Sequence, residues 1–174
     1  YPRLDFILSG VAEGWLVADR LAREDIPVIA VPMYNLPGSF ESIASTQSNV
    51  GRMRAAGIRV AIADPGQPRL MTQQAGQTVA QARIPGATGM TRDQALAAIT
   101  SVPAAILGLN VGSIAPGKQA DIVIWDGDPI ELSTAPTAVY IGGVAQPMDS
   151  RQTKLRDRYN PANPDTGLPK QYSR

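Results

Sequence analysis

Short apolar runs alternate with stretches of helical periodicity over the first half of the chain. The runs at residues 4–8, 28–31 and 59–63 are typical of strands that are buried on both faces. The stretches at 12–23 and 41–56 place apolar residues at helical spacing. This β-α-β-α-β order predicts a parallel sheet with right-handed crossover helices.

Helical patterns continue to about residue 107, and the pattern then changes. Helices are predicted at 67–83, 91–99 and 104–107, and Thr91 with Gln94 has the form of a capping box. Residues 111–146 instead predict an antiparallel block, with strands at 120–125, 139–141 and 144–146 and a turn at Gly142-Gly143. A last helix is expected from Asp149 or Ser150 to Tyr159, followed by a loosely ordered tail.

Neither group of predicted strands is expected to form a stable sheet by itself. Three parallel strands would leave two apolar edges unpaired, and natural proteins avoid such edges. A block of two or three antiparallel strands is equally small for independent stability. We therefore expect further strands for both sheets to lie outside this chain. The alternative is a complete small α/β domain whose edges are covered.

The residue types that are absent exclude several chemistries. The 174 residues contain no histidine and no cysteine. A Ser-His or Cys-His dyad, a disulfide and a self-contained histidine-rich zinc site are therefore excluded. A net charge of +1 gives no electrostatic indication of nucleic-acid binding. No apolar run approaches the roughly 20 residues that a membrane-spanning helix needs.

Three ordered stretches carry a resemblance to a known family. They are residues 95–100 (ALAAIT), 103–109 (PAAILGL) and 112–126 (GSIAPGKQADIVIWD). Together they resemble the C-terminal signature of the amidohydrolase superfamily, and most closely its imidazolonepropionase-like and prolidase-like branch. Residues 13–15 (EGW), 27–29 (PVI) and 35–37 (NLP) are similar to the region of that branch around the sixth and seventh barrel strands.

The resemblance implies an α/β fold, consisting of the last three strand-helix units of a (β/α)8 TIM-type barrel plus part of a small C-terminal β-sandwich domain. The barrel portion would occupy residues 1–110, the sandwich portion 111–147, and a C-terminal helix and tail 148–174. The site would lie at the C-terminal ends of the barrel strands.

The resemblance also implies cofactors and partners. One or two divalent ions, with zinc expected, would activate a water that attacks the carbon of a C–N bond in a small-molecule substrate. Most metal ligands would lie outside this chain, on the N-terminal half of the same enzyme, as a separate chain or a missing segment. A homo-oligomer and the compartment, cytoplasmic or exported, are left open.

Asp64 and Ser9 carry the expectations about metal and catalysis. Asp64 follows the third predicted strand and matches the strand-eight aspartate of the family, which binds metal and acts as general base. The alternative is a turn or helix-capping aspartate before Pro65-Gly66. Ser9 stands where the family has a histidine at the end of strand six, and serine is a poor zinc ligand.

Four further residues are predicted to bind substrate. Glu13 opens a helix on the expected site face, Tyr34 and Asn35 follow the second predicted strand, and Arg69 follows the third. Each has a simpler alternative: an acidic residue favoured at a helix N-terminus, loop packing for Tyr34 and Asn35, and an exposed helix-start arginine.

Two functional hypotheses follow. The chain is part of a metal-dependent amidohydrolase that acts on an amide, cyclic amide or dipeptide-like bond and needs its N-terminal half for activity. Alternatively, it is a catalytically inactive relative that serves as a structural or partner-binding module. Ser9 favours the second hypothesis, and Asp64 with the intact signature favours the first.

Overall fold

The computed structural model describes residues 6–160 and forms two three-stranded sheets. The first is parallel, in the order β1-β2-β3, with Leu8 paired to Val28 and Val28 paired to Val60. Its strands are β1 (Leu8–Ser9), β2 (Val28–Ala30) and β3 (Val60–Ile62). The predicted β-α-β-α-β order is therefore confirmed. The predicted strand start at residues 4–5 and the tail at 161–174 lie outside the described residues.

Six α-helices accompany these sheets in the described part of the chain. They are α1 (Ala18–Arg23), α2 (Asn49–Ala55), α3 (Met71–Gln81), α4 (Arg92–Ala98), α5 (Ser101–Ile106) and α6 (Arg151–Tyr159). Short 3-10 helices at Gly14–Val17 and Pro68–Leu70 lead directly into α1 and α3. None of these helices is long and apolar enough to cross a membrane.

The predicted helix over 41–56 is wrong in its first half. Only Asn49–Ala55 is α-helical, and a 3-10 helix at Phe40–Ser42 with turns replaces the rest. Hydroxyl groups compete with the helix here: Ser42 Oγ lies 3.4 Å from Ser39 O, and Ser48 N donates to Thr46 Oγ1 at 3.2 Å. Serine and threonine commonly divert the backbone from a helix in this way.

The hydrophobic core lies between the parallel sheet and the helices that pack on it. Val28, Val60 and Ile62 are at most 1% exposed. Met53 of α2 and Met90, which precedes α4, complete a continuous cluster with them. Because strands buried on both faces need continuous apolar runs, the runs at 28–31 and 59–63 correspond to β2 and β3. The prediction of a buried strand at 4–8 is wrong in the described residues, since β1 overlaps this run only at Leu8 and Phe6 and Ile7 are exposed.

The second sheet is antiparallel, and its strands are partly or fully exposed. Its strands are β4 (Ile122–Trp125), β5 (Pro136–Ile141) and β6 (Val144–Ala145). Gly142 and Gly143 have φ values of 57° and 80°. A tight two-residue hairpin turn favours this left-handed pair, as the sequence predicted. No residue of β4, β5 or β6 is buried in the described structure, although neighbouring Ile130 belongs to the main core.

An ion pair connects this second sheet to α4. Arg92 donates through Nε to Asp128 Oδ2 at 2.6 Å and through Nη2 to Asp128 Oδ1 at 3.1 Å. The hydrogen bond from Arg92 lowers the pKa of the Asp128 carboxyl, and the same bond raises the pKa of Arg92. Two-pronged pairing of this kind fixes geometry better than a single contact does.

The loop that follows β1 is strained and is clamped by α2. Val11 has a φ of 28°, which is an outlier for a β-branched residue. Asn49 is 1% exposed, donates through Nδ2 to Val11 O at 2.8 Å, and accepts at Oδ1 from Trp15 N at 2.9 Å. One buried amide thus satisfies two backbone groups of this loop, and it holds the strained turn that begins at the end of β1.

We predict that Asp128→Asn lowers the thermal unfolding midpoint at neutral pH by removing the charge that pairs with Arg92. Because the pKa of Asp128 is lowered by folding, its contribution is complete above the ordinary aspartate pKa and is lost as pH falls through the folded value. The difference between wild type and variant should therefore shrink below about pH 4. Asp93→Asn, which alters an exposed contact to the same arginine, is the control. A pH-independent difference would contradict the assignment.

We predict that Asn49→Asp destabilises the protein by about 1–3 kcal/mol in chemical denaturation. The change keeps the acceptor for Trp15 N but places a second acceptor against Val11 O, which loses its donor. Asn110→Asp is the matched control, because Asn110 is exposed and its Oδ1 already accepts from Lys118. Equal stability of the two variants would show that the clamp contributes little.

Candidate functional site

The C-terminal ends of the three parallel strands meet at one edge of the sheet. Ser9 is paired with Ile29, and Ile29 with Ala61. Gly10 N donates to Ile29 O at 3.0 Å just beyond β1. Asp64 lies two residues after the end of β3, so its carboxylate is at this edge. Such an edge is where polar side chains on successive loops can come together.

The carboxylate of Asp64 is buried and held at three points. Its residue is 8% exposed. Oδ1 accepts from Gly66 N at 3.1 Å and Gln67 N at 3.0 Å, while Oδ2 accepts from Gln74 Nε2 at 2.7 Å. The two backbone bonds form the turn that Pro65-Gly66 favours, because aspartate commonly bonds the chain two residues on. The turn-forming alternative for Asp64 is thus observed, and its catalytic and metal-binding roles stay predictions.

Gln74 is the residue at this site that the sequence analysis missed. It lies on α3 and is 0% exposed, yet Oε1 has no hydrogen-bond partner within residues 6–160. A buried acceptor left without a partner costs roughly 1–3 kcal/mol. The sequence carried one signal of its burial. Gln74 is a polar residue three positions after Met71 and directly before Ala75, on the helix face that the apolar pattern predicts to face the core.

Hydrogen bonds of Glu13 and Asn35 connect the loop after β1 to residues 44–46. Glu13 Oε1 accepts from Ala44 N at 2.7 Å. Asn35 Nδ2 donates to Ala12 O at 2.8 Å and to Thr46 O at 2.9 Å. Both hydrogens of the Asn35 amide are therefore committed to backbone carbonyls. The loop-packing alternative for Asn35 is observed, and substrate binding by either residue stays a prediction.

Tyr34 and Arg69 lie at the surface, away from the hydrogen bonds of Asp64. Tyr34 is 57% exposed. Arg69 is exposed and lines a cavity of about 100 Å³ together with Trp125 and Thr134 from the antiparallel block. Among the described residues, the hydrogen bonds of Asp64 go to Gly66, Gln67 and Gln74, and none goes to the four predicted substrate-binding residues. Their roles stay predictions.

The donor set of this chain does not by itself fit a metal centre. Within residues 6–160, no group of three or more histidine, cysteine, aspartate or glutamate side chains could hold an ion. Ser9 brings a hydroxyl to the strand edge where an imidazole would suit zinc better. Asp64 could supply one ligand through Oδ2, since a carboxylate has about four acceptor positions and three are occupied here.

Known proteins resemble this chain over most of its length. The sequence matches the Amidohydrolase family over residues 7–160. It is 38% identical over 104 residues to the imidazolonepropionase of Cereibacter sphaeroides strain KD131, a match that covers 56% of this chain and 25% of that protein. It is 45% identical over 60 residues to the amidohydrolase tasK of Hapsidospora irregularis, covering 33% of this chain and 6% of that protein. The chain thus spans a quarter or less of the length of these relatives.

A solved structure gives the same result at the level of the fold. The amidohydrolase from Thermotoga maritima MSB8 superimposes with a TM-score of 0.68 at 30% identity, covering 80% of this chain and 36% of the other. The α/β fold therefore falls within the TIM-barrel superfamily that includes the amidohydrolases. Both the family match and this structure lead to one conclusion: the chain belongs to the amidohydrolase family.

Proposed function

We propose that the complete protein hydrolyses a C–N bond in a small molecule, and that Asp64 acts as the general base. The substrate class is an amide, a cyclic amide or a dipeptide-like compound. The observation that carries the proposal is the Asp64 carboxylate, which is buried at the C-terminal edge of the parallel sheet and whose Oδ2 accepts a single hydrogen bond within the described residues, from Gln74. Family membership and the name of the imidazolonepropionase relatives support the reaction class.

The hydrogen bonds of Asp64 support this proposed role. Gly66 and Gln67 occupy Oδ1, which leaves Oδ2 as the oxygen that can take a proton from an attacking water. The water oxygen bonds to the carbonyl carbon as Asp64 takes the water proton. The C–N bond then breaks, and Asp64 returns that proton to the departing nitrogen, which regenerates the carboxylate. Because the carboxylate is held before the substrate arrives, little reorganisation is needed when the proton moves.

The unpaired strand edges and exposed apolar faces of this chain support a larger fold for the complete protein. In the described residues, β1 and β3 each pair on one side only, and both faces of the β4-β5-β6 sheet carry exposed apolar residues. We propose that residues 1–110 supply the last three units of a barrel, 111–147 part of a β-sandwich, and 148–174 a helix and tail. The N-terminal half, as another segment or a separate chain, would pair with both sheets.

The proposed reaction also requires a divalent metal ion, and we propose zinc. Members of the family are typically metal-dependent. Since no group of three or more candidate ligands lies within residues 6–160, the ligands besides Asp64 would come from the N-terminal half. Ser9 stands at the end of β1, where the family resemblance leads us to expect a histidine. This replacement distinguishes the proposed site from the usual one.

We predict that Asp64→Asn lowers kcat of the full-length protein by about 10²- to 10⁴-fold, the usual contribution of a general base. Asparagine keeps an oxygen for Gly66 N and Gln67 N but cannot accept the proton. The assay follows hydrolysis of imidazolonepropionate as a cyclic amide and glycyl-proline as a dipeptide.

Asp126→Asn is the control for this experiment. Asp126 also accepts a backbone hydrogen bond, from Ala135 N at 2.8 Å, but it lies in a turn of the antiparallel block. The control should keep wild-type kcat. If wild-type protein hydrolyses neither probe, the hydrolase proposal fails and the chain is better described as a structural or partner-binding module.

We predict that removing divalent metal by dialysis against a chelator abolishes hydrolysis by the full-length protein, and that added zinc restores it. The bound metal should be measured by elemental analysis in wild type and in Asp64→Asn. Full activity in metal-free protein would refute the metal proposal while leaving the role of Asp64 as a base open to its own test.

A further inference from the structure

We infer that Gln74 is a positioning residue that sets the orientation of the Asp64 carboxylate. This inference rests on the proposed role of Asp64 as general base. Gln74 lies on α3, ten residues after Asp64, and its Nε2 donates a hydrogen bond to Asp64 Oδ2 at 2.7 Å. Gln74 is not expected to touch the substrate, because its side chain is fully buried.

Packing alone gives a poor explanation for glutamine at this position. The neighbouring buried residue Ala75 is apolar, and buried Thr78 satisfies its hydroxyl locally by donating to Ala75 O at 2.7 Å. Gln74 instead extends away from its own helix to Asp64, and its Oε1 stays without a partner in the described part of the chain. An apolar side chain of similar length would fill the space without that cost. The feature that glutamine adds is the donor to Asp64.

The geometry of Asp64 shows what that donor does. The two backbone N–H groups of Gly66 and Gln67 both act on Oδ1, so they limit Oδ2 only indirectly, through the planar geometry of the carboxylate. The Gln74 amide acts on Oδ2 and thereby fixes the plane of the carboxylate. The one remaining acceptor position of Oδ2 then has a defined direction. Supporting hydrogen bonds of this kind commonly orient the reactive carboxylate of a site.

The test is Gln74→Met in the full-length protein, with Gln77→Met as the matched control. Methionine keeps the length and the helix preference of glutamine but removes both polar atoms. Gln77 lies one turn further along α3 and is exposed. We expect Gln74→Met to lower kcat by about 10- to 100-fold, the usual effect of removing a partner that orients a carboxylate. KM should stay close to that of Gln77→Met, while the thermal unfolding midpoint should fall because the buried Asp64 Oδ2 loses its donor.

The outcomes separate this inference from the proposed function. Steady-state kinetics are measured for wild type, Asp64→Asn and the two glutamine variants on whichever probe the wild type hydrolyses, imidazolonepropionate or glycyl-proline. If Asp64→Asn loses activity while Gln74→Met behaves like Gln77→Met, the positioning role is overturned and the proposed function stands. If Asp64→Asn keeps its activity, or if neither probe is hydrolysed, the proposed function fails and the inference fails with it.

A structural role for Gln74 would give a different result. It would alter kcat and KM together, which would also overturn the inference. If Gln74→Met does not fold, Gln74→Leu provides a second apolar replacement with the same expected separation of kcat from KM. A fall in kcat at constant KM, in either variant, is the result that supports positioning.

Discussion

The parallel pairing of three very short strands is the constraint on which the rest of this structure depends. β1, β2 and β3 have only two or three residues each, so their ladder supplies few hydrogen bonds. The loops that leave their C-terminal ends must therefore be held by side chains. Asn49, Asn35 and Glu13 do this, each bonding to backbone groups in a different part of the chain. Polar residues near this edge thus serve first to hold the loops on which any site must be built.

The order of elements could be predicted because burial leaves a regular pattern in the sequence. Strands covered on both faces require apolar runs, and the runs at 28–31 and 59–63 correspond to β2 and β3, whereas the run at 4–8 overlaps β1 only at Leu8. Turn chemistry was equally readable at Gly142-Gly143, where both φ values are positive. The wrong first half of the helix predicted over 41–56 shows the limit of such patterns, because Ser42 and Thr46 divert the backbone through local hydroxyl contacts that periodicity does not include.

The candidate site could be predicted only in part, for a related reason. Asp64 was found because it follows a strand and matches a family position. Asn49 and Gln74 were missed because each is a polar residue in the buried part of a helix, where a hydrophobic pattern registers only an interruption. Their partners lie 38 and 10 residues away along the chain. Contacts of that range depend on how the elements pack, and one sequence carries no signal of them beyond the interruption itself.

The hydrogen bonds of Asp64 also bear on whether its turn-forming and catalytic interpretations exclude each other. A turn-forming aspartate and a reactive aspartate were alternatives in the sequence, but the two roles would use different oxygens here. The turn occupies Oδ1 through Gly66 and Gln67, and Oδ2 retains an open acceptor position beside Gln74. Because a carboxylate is planar, fixing one oxygen in the turn also limits where the other can lie. The turn therefore belongs to the geometry that a general base at this position would require, and forming it does not count against the proposed role.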